Sequence, residues 1–280
     1  MNLPLLACVL FSVTAACAVS AAERHVPMIA HRGESHDAPE NTLASFDLAW
    51  SRGDEAAELD VHLTKDGKLI VSHDPDTKRL SKGGVEMVIK DHTAEELRTL
   101  DVGSWKGPKF AGQRLPLLDE VLAHLPGDPS RRQLIEVKVG PEAIPEVARC
   151  IERAKRPDGQ LIIISFNADT IAEAKRLLPK IKAFWLAQQK QDKQTKVWSP
   201  TGANLIATAK SVHADGLDVA ATEPVDAAFI KAAHDAGLEL HVWTVDDPVK
   251  AKALIAAGVD SITTNRAAWM REQLENVHAK

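Results

Sequence analysis

Ala56-Ala57-Glu58-Leu59-Asp60-Val61 is followed, after a short polar stretch that includes Thr64-Lys65-Asp66-Gly67-Lys68, by Leu69-Ile70-Val71-Ser72-His73, and these two runs decide how the chain folds. The first reads as an interior strand. Glu58 and Asp60 stand two residues apart on it and so share one face. The gap between the runs is too short for a parallel crossover. Asp66-Gly67 is a hairpin turn signal. Residues 69–73 are therefore predicted to pair antiparallel with the extended end of the preceding strand, outside any parallel ring.

Outward from this hairpin, short aliphatic runs alternate with helical patterns. The runs fall at 28–31, 56–61, 134–139, 161–166, 183–187, 216–219, 240–245 and 261–264. Segments with a period near 3.6 lie between them at 42–52, 141–155, 168–178, 204–212, 225–236 and 249–257. This alternation fits a TIM (β/α)₈ barrel. Asn167 or Asp169 can cap a helix start, and Gly237 and Gly258 stand where helices should end. Residues 74–116 lack strand–helix regularity and read as a small insertion after the second strand, at the C-terminal mouth. A long inserted loop there usually shapes access to a site.

The chain of 280 residues suits one large domain, read here as residues 23–280, with apolar residues enough for a sizeable core. A net charge of −5 argues against a general nucleic-acid binder. Residues 1–22 are apolar and end in small residues (Ala18, Ser20, Ala21, Ala22), the pattern of a secretory signal peptide cleaved near 20–22. Its n-region has no Lys or Arg. Cys17 makes a poor version of a lipoprotein site, so a lipid- or leader-anchored form is the minority reading. The expected location is periplasmic or secreted, with no stable membrane insertion once the leader is gone. After cleavage Cys150 is alone, which leaves no intramolecular disulfide; a lone Cys on a helical stretch reads as a small core residue.

In a barrel, reacting groups sit at the C-terminal ends of strands. His31 and Arg32 end the first strand, Glu58 and Asp60 share a face of the second, and Glu136 and Lys138 do the same on the third. His73, returning along the hairpin, reaches the same space. Unpaired buried charges are costly, so charges on interior strands need a partner. Glu58, Asp60 and Glu136 form a hard oxygen set suited to Ca²⁺ or Mg²⁺. Arg32, by its planar fork, and Lys138, as a point charge, suit phosphate oxygens. His31 and His73 titrate near neutrality and suit a general base and a general acid. Taken singly, each residue has a plainer reading. A strand-end His is commonly a hydrogen-bonded structural residue, Glu58 and Asp60 a solvated face, and Glu136 with Lys138 an ion pair. Taken jointly the plainer readings weaken, because all fall at the ends of three consecutive strands.

These residues lie in stretches that resemble the glycerophosphodiester phosphodiesterase family. They include Ala30-His31-Arg32-Gly33, Pro39-Glu40-Asn41-Thr42, residues 58–67, His73-Asp74, Leu100-Asp101-Val102-Gly103-Ser104-Trp105, Leu115-Pro116-Leu117-Leu118-Asp119-Glu120, Ile135-Glu136-Val137-Lys138, His241-Val242-Trp243-Thr244-Val245 and residues 258–265. No single piece is decisive; their order along nearly the whole mature chain is specific. The resemblance implies a TIM barrel with an insertion and a divalent cation, Ca²⁺ or Mg²⁺, on Glu58, Asp60 and Glu136. It implies His31 and His73 as the acid–base pair and Arg32 and Lys138 on the phosphate. Trp243 by analogy lines the substrate pocket, with a barrel-packing role as the alternative. Asn41 is expected to orient the first loop.

The expected activity is metal-dependent hydrolysis of glycerophosphodiesters to sn-glycerol 3-phosphate and an alcohol. One alternative keeps the site and takes a lipid substrate, as a lysophospholipase D does. An apolar groove in residues 74–116 would favour it, and a small polar pocket the water-soluble substrate. A non-catalytic phosphodiester-binding protein is the third reading, and loss of a histidine or metal carboxylate would mark it. Alcohol preference and oligomeric state have no signal in the sequence.

Overall fold

The computed structural model describes residues 25–222 and 224–275. The leader, with Cys8 and Cys17, lies outside them. The strands are β1 (Met28–Ala30), β2 (Ala56–Leu63), β3 (Leu69–Val71), β4 (Arg132–Val137), β5 (Leu161–Ser165), β6 (Lys182–Ala187), β7 (Lys190–Gln191), β8 (Trp198–Ser199), β9 (Gly216–Ala220), β10 (Glu239–Trp243) and β11 (Ser261–Thr264). The helices are α1 (Leu43–Ser51), α2 (Ala94–Leu97), α3 (Leu118–His124), α4 (Ile144–Ala154), α5 (Ala168–Leu177), α6 (Gly202–Ser211), α7 (Ala227–Asp235), α8 (Pro248–Ala257) and α9 (Ala267–Glu275).

Parallel pairings run β1-β2-β4-β5-β6-β9-β10-β11, and β11 pairs back onto β1, so eight strands close a TIM barrel. Local chemistry starts and stops the helices. Thr42 caps α1 in a capping box with Ser45, and Asn167 caps α5 by accepting from the Thr170 N–H. Asp247 caps α8, and Gly258, at φ 107°, ends it.

Alternation along the strands sorts their side chains into two layers. Leu59, Val61, Ile135, Val137, Ile163, Leu217, Val219 and Val242 face the helices within the large outer core. Ile29, Ala56, Leu134, Ile162, Ile164, Phe184 and Leu186 fill the lumen. Cys150 is buried in the outer core, as expected of a packing residue.

The predicted hairpin is present. Val61 lies opposite Val71, His62 opposite Ile70 and Leu63 opposite Leu69. The ladder ends at Val71, yet the Ser72 N–H still donates to the Asp60 carbonyl at 3.0 Å, which sets His73 beside the end of β2. Residues 74–116 are more ordered than their sequence suggests. Leu80, Ile89, Leu97, Val102 and Leu115 pack with Ile70 into a small core of their own. The Val71 N–H donates to the Pro116 carbonyl at 2.8 Å, so the insertion leaves and returns at the same strand.

Candidate active site

β1 stops at Ala30 and the chain turns at once. Gly33 has φ +75°, and a Cβ there would lie 2.5 Å from Ser45 Oγ and 2.6 Å from the Ser45 backbone carbon. Only glycine fits this close approach. Arg32, at φ 56°, also sits in the left-handed region, a costly place for a residue with a side chain. The turn aims both ends of Arg32 into the barrel mouth. Its backbone N–H donates to Glu58 Oε2 at 2.9 Å, and its Nη1 donates to Glu40 Oε1 at 2.8 Å. Its Nε lies 3.3 Å from Asp60 Oδ2.

Glu58 and Asp60 project from β2 and Glu136 from β4. One oxygen from each lies within 4.8 Å of the other two. Glu58 Oε1 is buried and has no hydrogen-bond partner. Asp60 Oδ1 has Lys138 Nζ at 3.4 Å, and Glu136 Oε1 has the same Nζ at 2.8 Å. Burial, then Asp60 and Glu136, push Glu58 well above the usual carboxylate range. Burial and Asp60 push Glu136 up to about 8. Burial also opposes ionisation of Asp60, but Arg32 and Lys138 outweigh it and hold that group below its ordinary value. Such a set lacks positive charge of its own, and an unpartnered buried carboxylate oxygen fits a divalent ion with oxygen preference. Asn41 Nδ2 donates to Asp60 Oδ2 at 2.7 Å, while the Asn41 N–H donates to the Arg32 carbonyl at 3.0 Å. Asn41 thus orients a carboxylate as well as the first loop.

His31 Nδ1 lies 2.8 Å from Asn265 Oδ1. The amide orientation follows from its other end, since Asn265 Nδ2 donates to Asp246 Oδ2 at 2.6 Å. Asn265 Oδ1 therefore accepts, Nδ1 of His31 carries the proton, and Nε2 keeps its lone pair. Burial and the Arg32 charge lower the His31 pKa to about 4, so the ring is neutral at physiological pH. His73 differs: its Nδ1 faces Asp74 Oδ1 at 2.7 Å. Asp74 in turn accepts from Arg79 Nε at 2.6 Å, and Arg79 donates through both terminal nitrogens to Glu40 at 2.8 Å.

These groups line one cavity of about 190 Å³ at the C-terminal ends of the strands, with His31, Arg32, Glu58, His73, Glu136 and Lys138 on its wall. Trp243 lines it too, with its ring edge-on to Phe166 and its Nε1 donating to the Asp218 carbonyl at 3.2 Å. Every residue proposed for the site from the sequence is thus gathered at one mouth, Asp60 through its contacts with Arg32 and Lys138. Sequence reasoning passed over Arg79, Asp246 and Asp218. Arg79 and Asp246 act on the site through other side chains and carry no local signal. Asp218 does carry one: it is a charge inside the aliphatic run Gly216-Leu217-Asp218-Val219.

The site is thus a closed barrel whose mouth gathers two histidines and two cationic side chains around three buried carboxylates. Residues 31–268 match the glycerophosphoryl diester phosphodiesterase family. A glycerophosphodiester phosphodiesterase of Caldanaerobacter subterraneus subsp. tengcongensis is 35% identical over 241 residues, covering 85% of this chain and 93% of that protein. One from Bacillus subtilis is 31% identical over 255 residues, covering 85% and 82%. Among solved structures, an Oleispira antarctica phosphodiesterase in complex with its product sn-glycerol-3-phosphate superposes with TM-score 0.77 at 26% identity, covering 89% of this chain and 96% of that one. A glycerophosphodiester phosphodiesterase from Agrobacterium tumefaciens gives TM-score 0.72 at 26% identity, covering 89% and 100%. The chain belongs to the glycerophosphoryl diester phosphodiesterase family and is an enzyme that hydrolyses glycerophosphodiesters.

Proposed function

We propose that this enzyme releases sn-glycerol 3-phosphate and an alcohol by two-histidine acid–base catalysis at a divalent-cation site made by Glu58, Asp60 and Glu136. The observation that carries the reading is the unpartnered Glu58 Oε1 beside two further carboxylates, in the same cavity as both histidines. A bound Ca²⁺ or Mg²⁺ supplies Lewis-acid polarisation of the phosphoryl oxygens and offsets their charge.

The side chains do the rest. Arg32 and Lys138 hold the non-bridging oxygens. His31, neutral with a free Nε2, takes the proton of the attacking hydroxyl as its oxygen bonds to phosphorus. His73 gives a proton to the departing alcohol oxygen as the P–O bond breaks, and Asp74 against its Nδ1 orients the ring. Balance is kept if the attacker is water or the glycerol 2-hydroxyl; in the second case water then opens the cyclic phosphate.

The insertion supports a water-soluble substrate over a lysophospholipid. Leu80, Ile89, Leu97, Val102 and Leu115 are spent on its own small core, and the cavity it helps line beside Arg32 carries Lys106, Glu40, His36 and Asp246 as well as Trp105. Among the described residues no helix is long and apolar enough to cross a membrane. The apolar leader at residues 1–22 supports export, with residues 23–280 working as one enzyme domain.

The test is glycerol 3-phosphate release from glycerophosphocholine by the purified mature chain, after chelation and again with Ca²⁺ or Mg²⁺ restored. Release only with metal is expected, and the preferred ion follows from the same assay. Release that survives chelation removes the metal from the mechanism. No release by folded, metal-loaded protein removes the substrate assignment.

A further inference from the structure

Asp218 lies on β9, and β9 is four strands from β2 in either direction around the ring, directly across the lumen from Glu58 and Asp60. Its neighbours in register are Leu186 on β6 and His241 on β10. The residues on either side of it, Leu217 and Val219, belong to the outer core, so the Asp218 side chain faces inward. It is 1% exposed and lines the same cavity as the histidines. Its carboxylate makes no hydrogen bond and no ion pair with any described residue, and Oδ1 is fully buried without a partner. Burial pushes its pKa up to about 6, against the pull of His241, so it is largely ionised at neutral pH.

A buried carboxylate without a hydrogen-bond partner is costly to the fold. Its natural partner is a donor brought by the ligand. Arg32 and Lys138 place the phosphate on the β1–β4 side of the mouth. Ile164 and Leu186 form a carbon wall between that side and Asp218, with Trp243 on the other flank. A glycerophosphodiester has one constant end and one variable end. The variable alcohol must leave through the open mouth if several are to be accepted, so the constant glycerol faces the enclosed lumen. Glycerol presents C–H groups to a carbon wall and hydroxyl donors beyond it. A quaternary ammonium, by contrast, has no N–H with which to satisfy Oδ1.

Resting on the proposed function, we infer that Asp218 is the specificity-determining residue for the glycerol half of the substrate, accepting a hydrogen bond from its terminal hydroxyl. It is a binding group that selects glycerol and transfers no proton.

The experiment compares kcat/KM of wild type, Asp218→Ala and Asp218→Asn on glycerophosphocholine and on the analogue lacking only the glycerol terminal hydroxyl. Wild type should prefer the parent by at least about tenfold, because the analogue leaves the buried carboxylate unpaired. Asp218→Ala should lower the rate on the parent and bring the preference within about threefold of unity. Asp218→Asn, which keeps one acceptor oxygen, should fall between. The thermal midpoint of Asp218→Ala should equal or exceed that of wild type, since an unpaired charge is removed. Equal use of both substrates by wild type overturns the inference while leaving the proposed function standing, as does an Asp218→Ala variant that keeps the wild-type preference. A clear fall in its thermal midpoint also overturns it, by giving Asp218 a structural role. Failure of wild type to release glycerol 3-phosphate from the parent overturns the proposed function itself.

Discussion

His31 Nδ1 and Asn265 Oδ1 lie 2.8 Å apart although 234 residues separate them in the chain. Closure of the barrel makes this contact, because β11 pairs with β1 and brings Asn265 against the residue that ends β1. Asp246 holds the amide by accepting from both the Asn265 backbone N–H, at 2.9 Å, and its Nδ2, at 2.6 Å. Asn265 fixes the tautomer and the tilt of the imidazole without touching the reacting atoms.

Replacing Asn265 by Ala should therefore lower kcat by about tenfold or more with KM within about threefold, less than the loss on removing the imidazole itself. The decisive readout is non-additivity. His31→Ala combined with Asn265→Ala should be no slower than His31→Ala alone. Independent, multiplying losses in the double variant would show that Asn265 does not act through His31.

Metal binding should be pH-dependent in a defined direction. In the ion-free protein Glu136 is raised to about 8 and Glu58 stands well above its usual range. The folded state then holds protons that the unfolded chain releases near pH 4.5. The sign follows: the stability these protons lend is present at low pH and is lost as pH rises through the folded value. A divalent ion bound there would replace the protons, so the rise in Tm on adding Ca²⁺ or Mg²⁺ should grow from pH 6 to 8. Unfolding scans with chelator or metal across that range check this. A metal-induced shift that is the same at pH 6 and pH 8 would contradict it.

Gly33 and Gly67 share a positive φ, at 75° and 71°, but differ in surroundings. A Cβ on Gly67 meets nothing within 4 Å, so Gly67→Ala should cost only the left-handed penalty, roughly 1–2 kcal/mol. A Cβ on Gly33 meets the Ser45 backbone at 2.6 Å and must push α1 outward. Overpacking adds about 1–3 kcal/mol. Gly33→Ala should thus lower Tm clearly more than Gly67→Ala, and lose activity as well because Arg32 moves with the turn. Equal Tm losses would remove the close-packing argument.

Much of this was legible in the sequence. The barrel follows from the period of its aliphatic runs, and the hairpin from a gap too short for a crossover. Glu58, Asp60, Glu136 and Lys138 stand out because charges on interior strands demand partners. The insertion was not legible as structure, because its order comes from Leu80, Ile89, Leu97 and Leu115 packing on Ile70 rather than from any local period. Asn41 shows the same limit. Its contact with Asp60 is tertiary, and nothing at Pro39-Glu40-Asn41 announces it. Asp218 obeys the rule that exposed Glu58, yet a lone carboxylate on a strand lacks the second charge that gives the pattern away.

The two histidines should separate by leaving group. His31, with Nδ1 tied to an amide and a pKa lowered to about 4, is built to accept a proton. His73, with Nδ1 oriented by the Asp74 carboxylate, is placed to serve the leaving oxygen. Either His→Ala change should slow hydrolysis of glycerophosphocholine by about 10²–10⁴-fold. A p-nitrophenyl ester of glycerol phosphate changes this balance, because its leaving group departs without protonation. On that substrate His73→Ala should recover most of the lost rate, while His31→Ala should stay slow because the attacking hydroxyl still needs a base. Recovery in His31→Ala instead would exchange the two roles. Recovery in neither would mean that proton transfer to the leaving oxygen is not what His73 contributes, and near-normal turnover of glycerophosphocholine by His31→Ala would remove the acid–base assignment altogether.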